Sequence, residues 1–151
     1  MTAPVLAVDN LVKHFPVQRG LLKKTVAHVR AVDGVSFEIK PGETLCLVGE
    51  SGCGKSTVGK LVLRLIEPTD GEVRVEGTDI TKLDAGQMRP WRKRVQMVFQ
   101  DPSASLNPRL TAGRIVGEPL ENYGVGASER TAKVEALLKR VGLRSDSMQK
   151  Y

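Results

Sequence analysis

The sequence predicts an α/β fold on three observations. A nearly continuous apolar run, Leu45-Cys46-Leu47-Val48, leads through closely spaced glycines into a segment of helical periodicity. A second apolar run, Val95-Gln96-Met97-Val98-Phe99, stops at Gln100-Asp101. Around them lie segments in which apolar and polar residues alternate. Continuous apolar runs of this length suit central strands of a parallel sheet covered on both faces, and alternation marks half-buried strands.

The alternating segments come first. Val35, Phe37 and Ile39 alternate with Ser36, Glu38 and Lys40 until Pro41-Gly42, and Val73 and Val75 alternate with Glu72, Arg74 and Glu76 between Gly71 and Gly77. With Val5 to Asp9 they read as pieces of an antiparallel sheet. Val58, Leu61, Val62 and Leu65 follow i, i+3, i+4, i+7 spacing, which predicts an amphipathic helix from Lys55 to about Ile66, before Pro68. A further helix is expected over Arg114 to Tyr123. Another carries Val134, Leu137, Leu138 and Val141, with Ser128 as N-cap and Gly142 closing it. Gln18 to Arg30 is basic and poorly periodic. It reads as a solvated hairpin loop, with a membrane-facing role as the alternative. Ser145 to Tyr151 is polar and reads as an unfinished connection.

With 151 residues, 40% hydrophobic, 26% charged and 4% aromatic, the chain is long enough for one domain with an aliphatic core. No apolar run approaches the roughly 20 residues that cross a bilayer, and Met1 to Asn10 lacks the pattern of a signal peptide, so a cytosolic chain is expected. The net charge of +6 favours acidic partners, whether nucleotides, nucleic acid or an anionic membrane face. Cys46 and Cys53 have neither the number nor the spacing of a disulfide framework or a zinc site, and read as reduced thiols.

The chemistry is carried by Gly49-Glu50-Ser51-Gly52-Cys53-Gly54-Lys55-Ser56-Thr57, which satisfies Gly-x4-Gly-Lys-[Ser/Thr] between an expected strand and an expected helix. In such a loop the glycines let backbone amides approach phosphate oxygens, and the start of the helix adds unpaired N–H groups and its positive dipole end. Gly49, Ser51, Gly52, Cys53, Gly54, Lys55, Ser56 and Thr57 are therefore the candidate nucleotide cradle. Lys55 should reach the β- and γ-phosphates, and Ser56 should hold Mg²⁺. The motif alone separates neither ATP from GTP nor one phosphoryl-transfer reaction from another.

Val95 to Pro108 narrows the choice. A glutamine at the carboxyl end of a central strand lies on the ligand side of an open α/β sheet, where the Gln100 amide could meet Mg²⁺ or an attacking water, or could merely cap the strand. Joined to the phosphate loop, this segment resembles the glutamine loop of ABC transporter ATPases. Its ending, Ser105-Leu106-Asn107-Pro108, is similar to that of the oligopeptide, dipeptide and nickel importer group. Ala31-Val32-Asp33-Gly34-Val35-Ser36-Phe37, Glu67-Pro68-Thr69-Asp70-Gly71-Glu72 and Val141-Gly142-Leu143 agree with that resemblance, which runs through most of the chain.

The resemblance implies a P-loop NTPase (RecA-like) core with an antiparallel β subdomain over residues 1–102 and the start of a helical subdomain over 103–151. It implies ATP and Mg²⁺ as ligands, with Lys55 and Gln100 in catalysis and Ser56 and Gln100 toward the metal. Phe15 takes the place of the aromatic that stacks on adenine, unless it is a core residue. The implied partners are transmembrane permease subunits, met near Ser103, and a second ATP-binding subunit, at the cytoplasmic face of the membrane; nucleic acid is not expected. Arg89-Pro90-Trp91-Arg92-Lys93-Arg94 could suggest nucleic acid or lipid headgroups, but a solvated helix face is favoured. The family's Ser-Gly-Gly-Gln signature, strand-terminal Asp-Glu pair and switch histidine do not occur, His14 and His28 lying too early. A truncated chain that binds nucleotide better than it cleaves it is therefore expected, with exposed apolar strand faces. The alternatives are a soluble ABC-type ATPase acting on nucleic acid and a non-hydrolysing nucleotide-binding fragment.

Overall fold

The computed structural model describes residues 3–20, 24–100 and 106–151. The chain divides into two compact units, Met1–Met97 and Val98–Tyr151.

The first unit is built on a four-stranded antiparallel sheet. Strands β1 (Leu6–Arg19), β2 (Lys24–Ile39), β3 (Asp70–Val75) and β4 (Thr78–Asp79) lie in the order β2-β1-β3-β4. The alternation at Val35–Ile39 and Val73–Val75 is realised in β2 and β3. Val73 and Val75 point inward and are buried, and Arg74 between them is exposed. β1 continues ten residues past Asp9, because β2 pairs with it as far as Arg19↔Lys24. The stretch expected as a loop over Gln18–Arg30 is therefore strand-paired at Gln18, Arg19 and from Lys24 onward; residues 21–23 lie outside the described residues.

Helix α1 (Lys55–Val62) packs on the sheet. Its Val58 and Leu61 join Val8, Leu11, Val32, Val73, Val75, Ile80 and Met88 in one buried cluster. The helix stops four residues before the expected Ile66. Leu65 N–H donates to the Lys60 carbonyl and Arg64 N–H to the Leu61 carbonyl, both at 2.8 Å, with Arg64 left-handed at φ +49°. This is the Schellman arrangement that usually takes glycine. Arg64 compensates through its side chain, whose Nη1 donates to the carbonyls of Ile80 (2.9 Å) and Leu83. Arg92 reaches back to the same turn, with Nη1 on the Leu63 carbonyl and Nη2 on the Arg64 carbonyl at 2.9 Å.

The basic cluster is thus not a uniformly solvated helix face. It begins just after α2 (Ala85–Met88) and runs through a 3₁₀ turn at Trp91–Lys93. Arg92 is half-buried, Trp91 packs against the core, and Arg94 pairs with Glu76.

Two further expectations fail. Leu45–Val48 and Val95–Phe99 form no ladder among the described residues, and Val48 and Val98 are 93% and 94% exposed. A parallel strand needs ladder hydrogen bonds to a neighbouring strand. Here the described β-residues all belong to the antiparallel sheet, so these runs stay irregular.

In the second unit α3 (Ala112–Asn122), starting two residues before the expected Arg114, packs on α4 (Ala127–Arg140). Thr111 caps α3, and Gly117 lies where a Cβ would sit 3.5 Å from Val134. The N-cap of α4 is Gly126, two residues before the expected Ser128, and the helix buries Val134 and Leu138 but not Leu137 or Val141. Gly142, at φ +78°, closes it as expected.

Arg64→Gly relieves a left-handed strain of about 1 kcal/mol but removes charge-assisted bonds worth about 1.5–3 kcal/mol. The net is a destabilisation of about 0.5–2 kcal/mol in urea unfolding; a stabilised variant would mean that the guanidinium bonds contribute nothing. Acid sensitivity is set on the sheet. Hydrogen bonds from Lys82 and Arg74 hold the Glu72 carboxyl below its ordinary value of 4.5. Burial pushes Asp79 up, but bonds from Thr81 and Lys82 outweigh it and hold that carboxyl low as well. Depressed carboxylates contribute stability above their unfolded values and lose it as pH falls through their folded values. The melting temperature should therefore drop below about pH 4.5, and Lys82→Met should make that drop shallower.

Candidate nucleotide-phosphate site

The phosphate loop is placed by glycine at its closest approach to the sheet. Gly54 is the N-cap of α1 in a left-handed conformation, φ +97°, and a Cβ there would lie 2.3 Å from the carbonyl oxygen of Ala31 on β2. Only glycine fits both the angle and the space. Gly52 is also left-handed, φ +84°, but has open space around it. No side chain caps α1, and its first internal bond runs from Val58 N–H to the Gly54 carbonyl at 2.9 Å. The amides of the first turn are left for another acceptor.

Lys55 folds over the loop. Its Nζ donates to the carbonyls of Gly49 at 2.7 Å and Glu50 at 2.6 Å, and lies 3.5 Å from the Cys53 sulfur. The ammonium therefore occupies the mouth of the cradle, bonded to neutral acceptors. Ser56 follows it in the first turn, exposed, and its hydroxyl takes no hydrogen bond among the described residues. A free hydroxyl beside an ammonium and unpaired amides is the chemistry a metal–polyphosphate ligand needs. Among the described residues no group of three His, Cys, Asp or Glu could hold a metal by itself, so such an ion would need phosphate oxygens as ligands.

Phe15 lies on the same stretch of ribbon. It pairs with Val29, two residues along β2 from the Ala31 that touches Gly54, and is 39% exposed. It is not a buried core residue. Lys13 Nζ sits 5.1 Å from the ring centroid while donating to the Glu67 carbonyl at 2.6 Å, so one ring face is occupied. Gly49, Ser51, Gly52, Cys53, Gly54, Lys55, Ser56 and Thr57 are assembled as one loop and helix start. Gln100 belongs to the second unit, exposed in an irregular segment, and Asp101 to Ser105 lie outside the described residues. Sequence reasoning missed Ala31, whose carbonyl forms the wall of the loop, and Lys13. A backbone carbonyl contact 23 positions away leaves no local signal.

Residues 32–151 match the family model described as ABC transporter. The chain belongs to this family. It is 51% identical to a probable peptide ABC transporter ATP-binding protein of Sinorhizobium fredii, a match over all of this chain and 43% of that protein. It is 48% identical to the oligopeptide transport ATP-binding protein AppF of Bacillus subtilis, covering 97% of this chain and 45% of the relative. The ABC chain thus spans under half the length of these curated relatives. Its fold is also that of a solved dimeric ATP-binding cassette in a post-hydrolysis state with ADP and phosphate bound. That likeness has a TM-score of 0.76 and 28% identity, and covers 96% of this chain and 60% of the cassette. The chain therefore has the P-loop NTPase fold of ABC cassettes, with the antiparallel sheet and helices described above.

The two left-handed glycines should behave differently. Gly52→Ala should cost roughly 1 kcal/mol, the backbone term alone. Gly54→Ala adds a clash with a carbonyl and should cost roughly two to three times as much. Urea midpoints that fall equally for the two variants would show that the Ala31 contact does not constrain the loop.

Proposed function

We propose that this chain is the nucleotide-binding part of an ATP-binding subunit of an ABC importer for peptides or related solutes. The observation that carries this reading is the glycine loop with Lys55 poised over it at an uncapped helix start. It stands in a chain about half identical to peptide and oligopeptide transport ATP-binding proteins.

In this reading Lys55 leaves the Gly49 and Glu50 carbonyls for the β- and γ-phosphates of ATP, where its bonds become charge-assisted on both sides. The first-turn amides of α1 take the remaining oxygens. Ser56 holds Mg²⁺, which when bound spreads and neutralises the phosphate charge. Phe15 offers its free face to adenine. Gln100 serves as a metal and water ligand and links the site to a permease subunit, and a second ATP-binding subunit completes a dimer at the cytoplasmic face. The start of the helical subdomain is assigned to α3 and α4. ATP hydrolysis belongs to the whole subunit. The nucleic-acid alternative loses its main support, because Arg92 and Arg94 of the basic cluster are engaged within the first unit.

Lys55→Ala should weaken Mg-ATP binding by about 10- to 150-fold, the equivalent of one charged hydrogen-bond set of about 1.5–3 kcal/mol, in a titration with a fluorescent ATP analogue. An unchanged affinity would place the nucleotide elsewhere.

A further inference from the structure

The β1–β2 ribbon carries a surface that the nucleotide reading does not use. β3 pairs with β1 only as far as Val12, and β2 is an edge strand, so beyond His14 the ribbon is two-stranded. Between Asn10 and Val32 the sequence has five basic residues, two histidines and no Asp or Glu. The whole run Lys24–Arg30 is exposed, as are Pro16, Gln18 and Arg19. At the tip Arg19 is paired directly with Lys24 across the ladder.

Like charges directly opposite each other destabilise a sheet. Neither residue has an ion pair among the described residues, while Arg30, nearer the base, is bonded to Asp33 at 3.4 Å. The basic residues are interleaved with apolar ones, Val26 and Val29 being 54% and 55% exposed. An unneutralised cation pair beside exposed valines on a projecting ribbon has the composition of an interfacial element, whose charges meet headgroup phosphates while its apolar side chains enter the acyl boundary. A flat anionic sheet of lipid satisfies both features without a shaped pocket.

We propose that the β1–β2 ribbon beyond His14 docks on an anionic lipid surface, with Arg19 and Lys24 on headgroup phosphates and Val26 at the acyl boundary. This site is separate from the phosphate loop and does not require nucleotide.

Vesicle flotation of the purified chain tests it, with phosphatidylcholine vesicles against phosphatidylcholine vesicles containing phosphatidylglycerol. Binding is expected only with phosphatidylglycerol and should weaken with salt. At about one basic-residue increment each, removing both charges in an Arg19→Ala/Lys24→Ala variant should lower partitioning by roughly 30-fold. Val26→Ser should lower it less. Lys24→Glu separates docking from folding: it replaces repulsion by attraction across the ladder, so vesicle binding should fall while the melting temperature holds or rises. Equal binding to both vesicle types, no binding, or a double variant that still floats would overturn the proposal. Capture by an acidic polypeptide without vesicle binding would do so as well and would assign the ribbon to a protein partner. Nucleotide titration of the same variants should show unchanged affinity, which keeps this test apart from that of the phosphate loop.

Discussion

The backbone of Gly54 rests against the carbonyl of Ala31 at a distance no side chain could share, and the orientation of α1 follows from that contact. At its start the helix is pinned by this glycine; along its length Val58 and Leu61 enter the buried cluster; at its end Arg92 holds the Leu63 and Arg64 carbonyls, and Arg64 ties the turn to the carbonyls of Ile80 and Leu83. The three restraints differ in kind. Apolar burial is strong and undirected, the glycine contact fixes approach, and the guanidinium bonds fix direction. Together they leave the first-turn amides of α1 facing outward in a defined geometry, the property a phosphate site needs.

The sequence signalled those parts of this arrangement that are local in the chain. The glycine spacing of the loop, the alternation in β2 and β3 and the apolar stripe of α1 each depend on neighbours within a turn or a strand. The end of α1 was misplaced because Leu65 and Ile66 continue the helical pattern, whereas Arg64 takes a left-handed position that periodicity cannot reveal in a non-glycine residue. The ribbon was read as a loop because its outer half is exposed on both faces and so shows no period. Its pairing is dictated by β1, not by any internal pattern. Leu45–Val48 and Val95–Phe99 have the composition of central strands, yet pairing is a property of neighbours, and no described segment pairs with them. The candidate site shows the same division. Its glycines, Lys55 and Ser56 were legible, while the Ala31 wall and the resting position of Lys55 depend on folding.

Helix ends in both units follow one device. α1, α3 and α4 each close with a left-handed residue whose amide and the next one return to the final turn: Arg64 and Leu65, Gly124 and Val125, Gly142 and Leu143. Glycine serves in the second unit, where the residue only has to turn the chain. Arginine serves in the first, where the same position must also bind the strand turn after Ile80. The added strain at Arg64 coincides with the one helix whose axis the site depends on.

The resting bonds of Lys55 set a threshold for what can occupy the loop. Its ammonium already has two neutral oxygen partners at 2.6 and 2.7 Å, so a ligand must offer more than these to draw it away. In the proposed reading a polyphosphate chain would meet the lysine, the glycine amides and the helix start at once. A small anion engages fewer of these groups at once. In that reading the loop would therefore favour anions that engage several of its groups together.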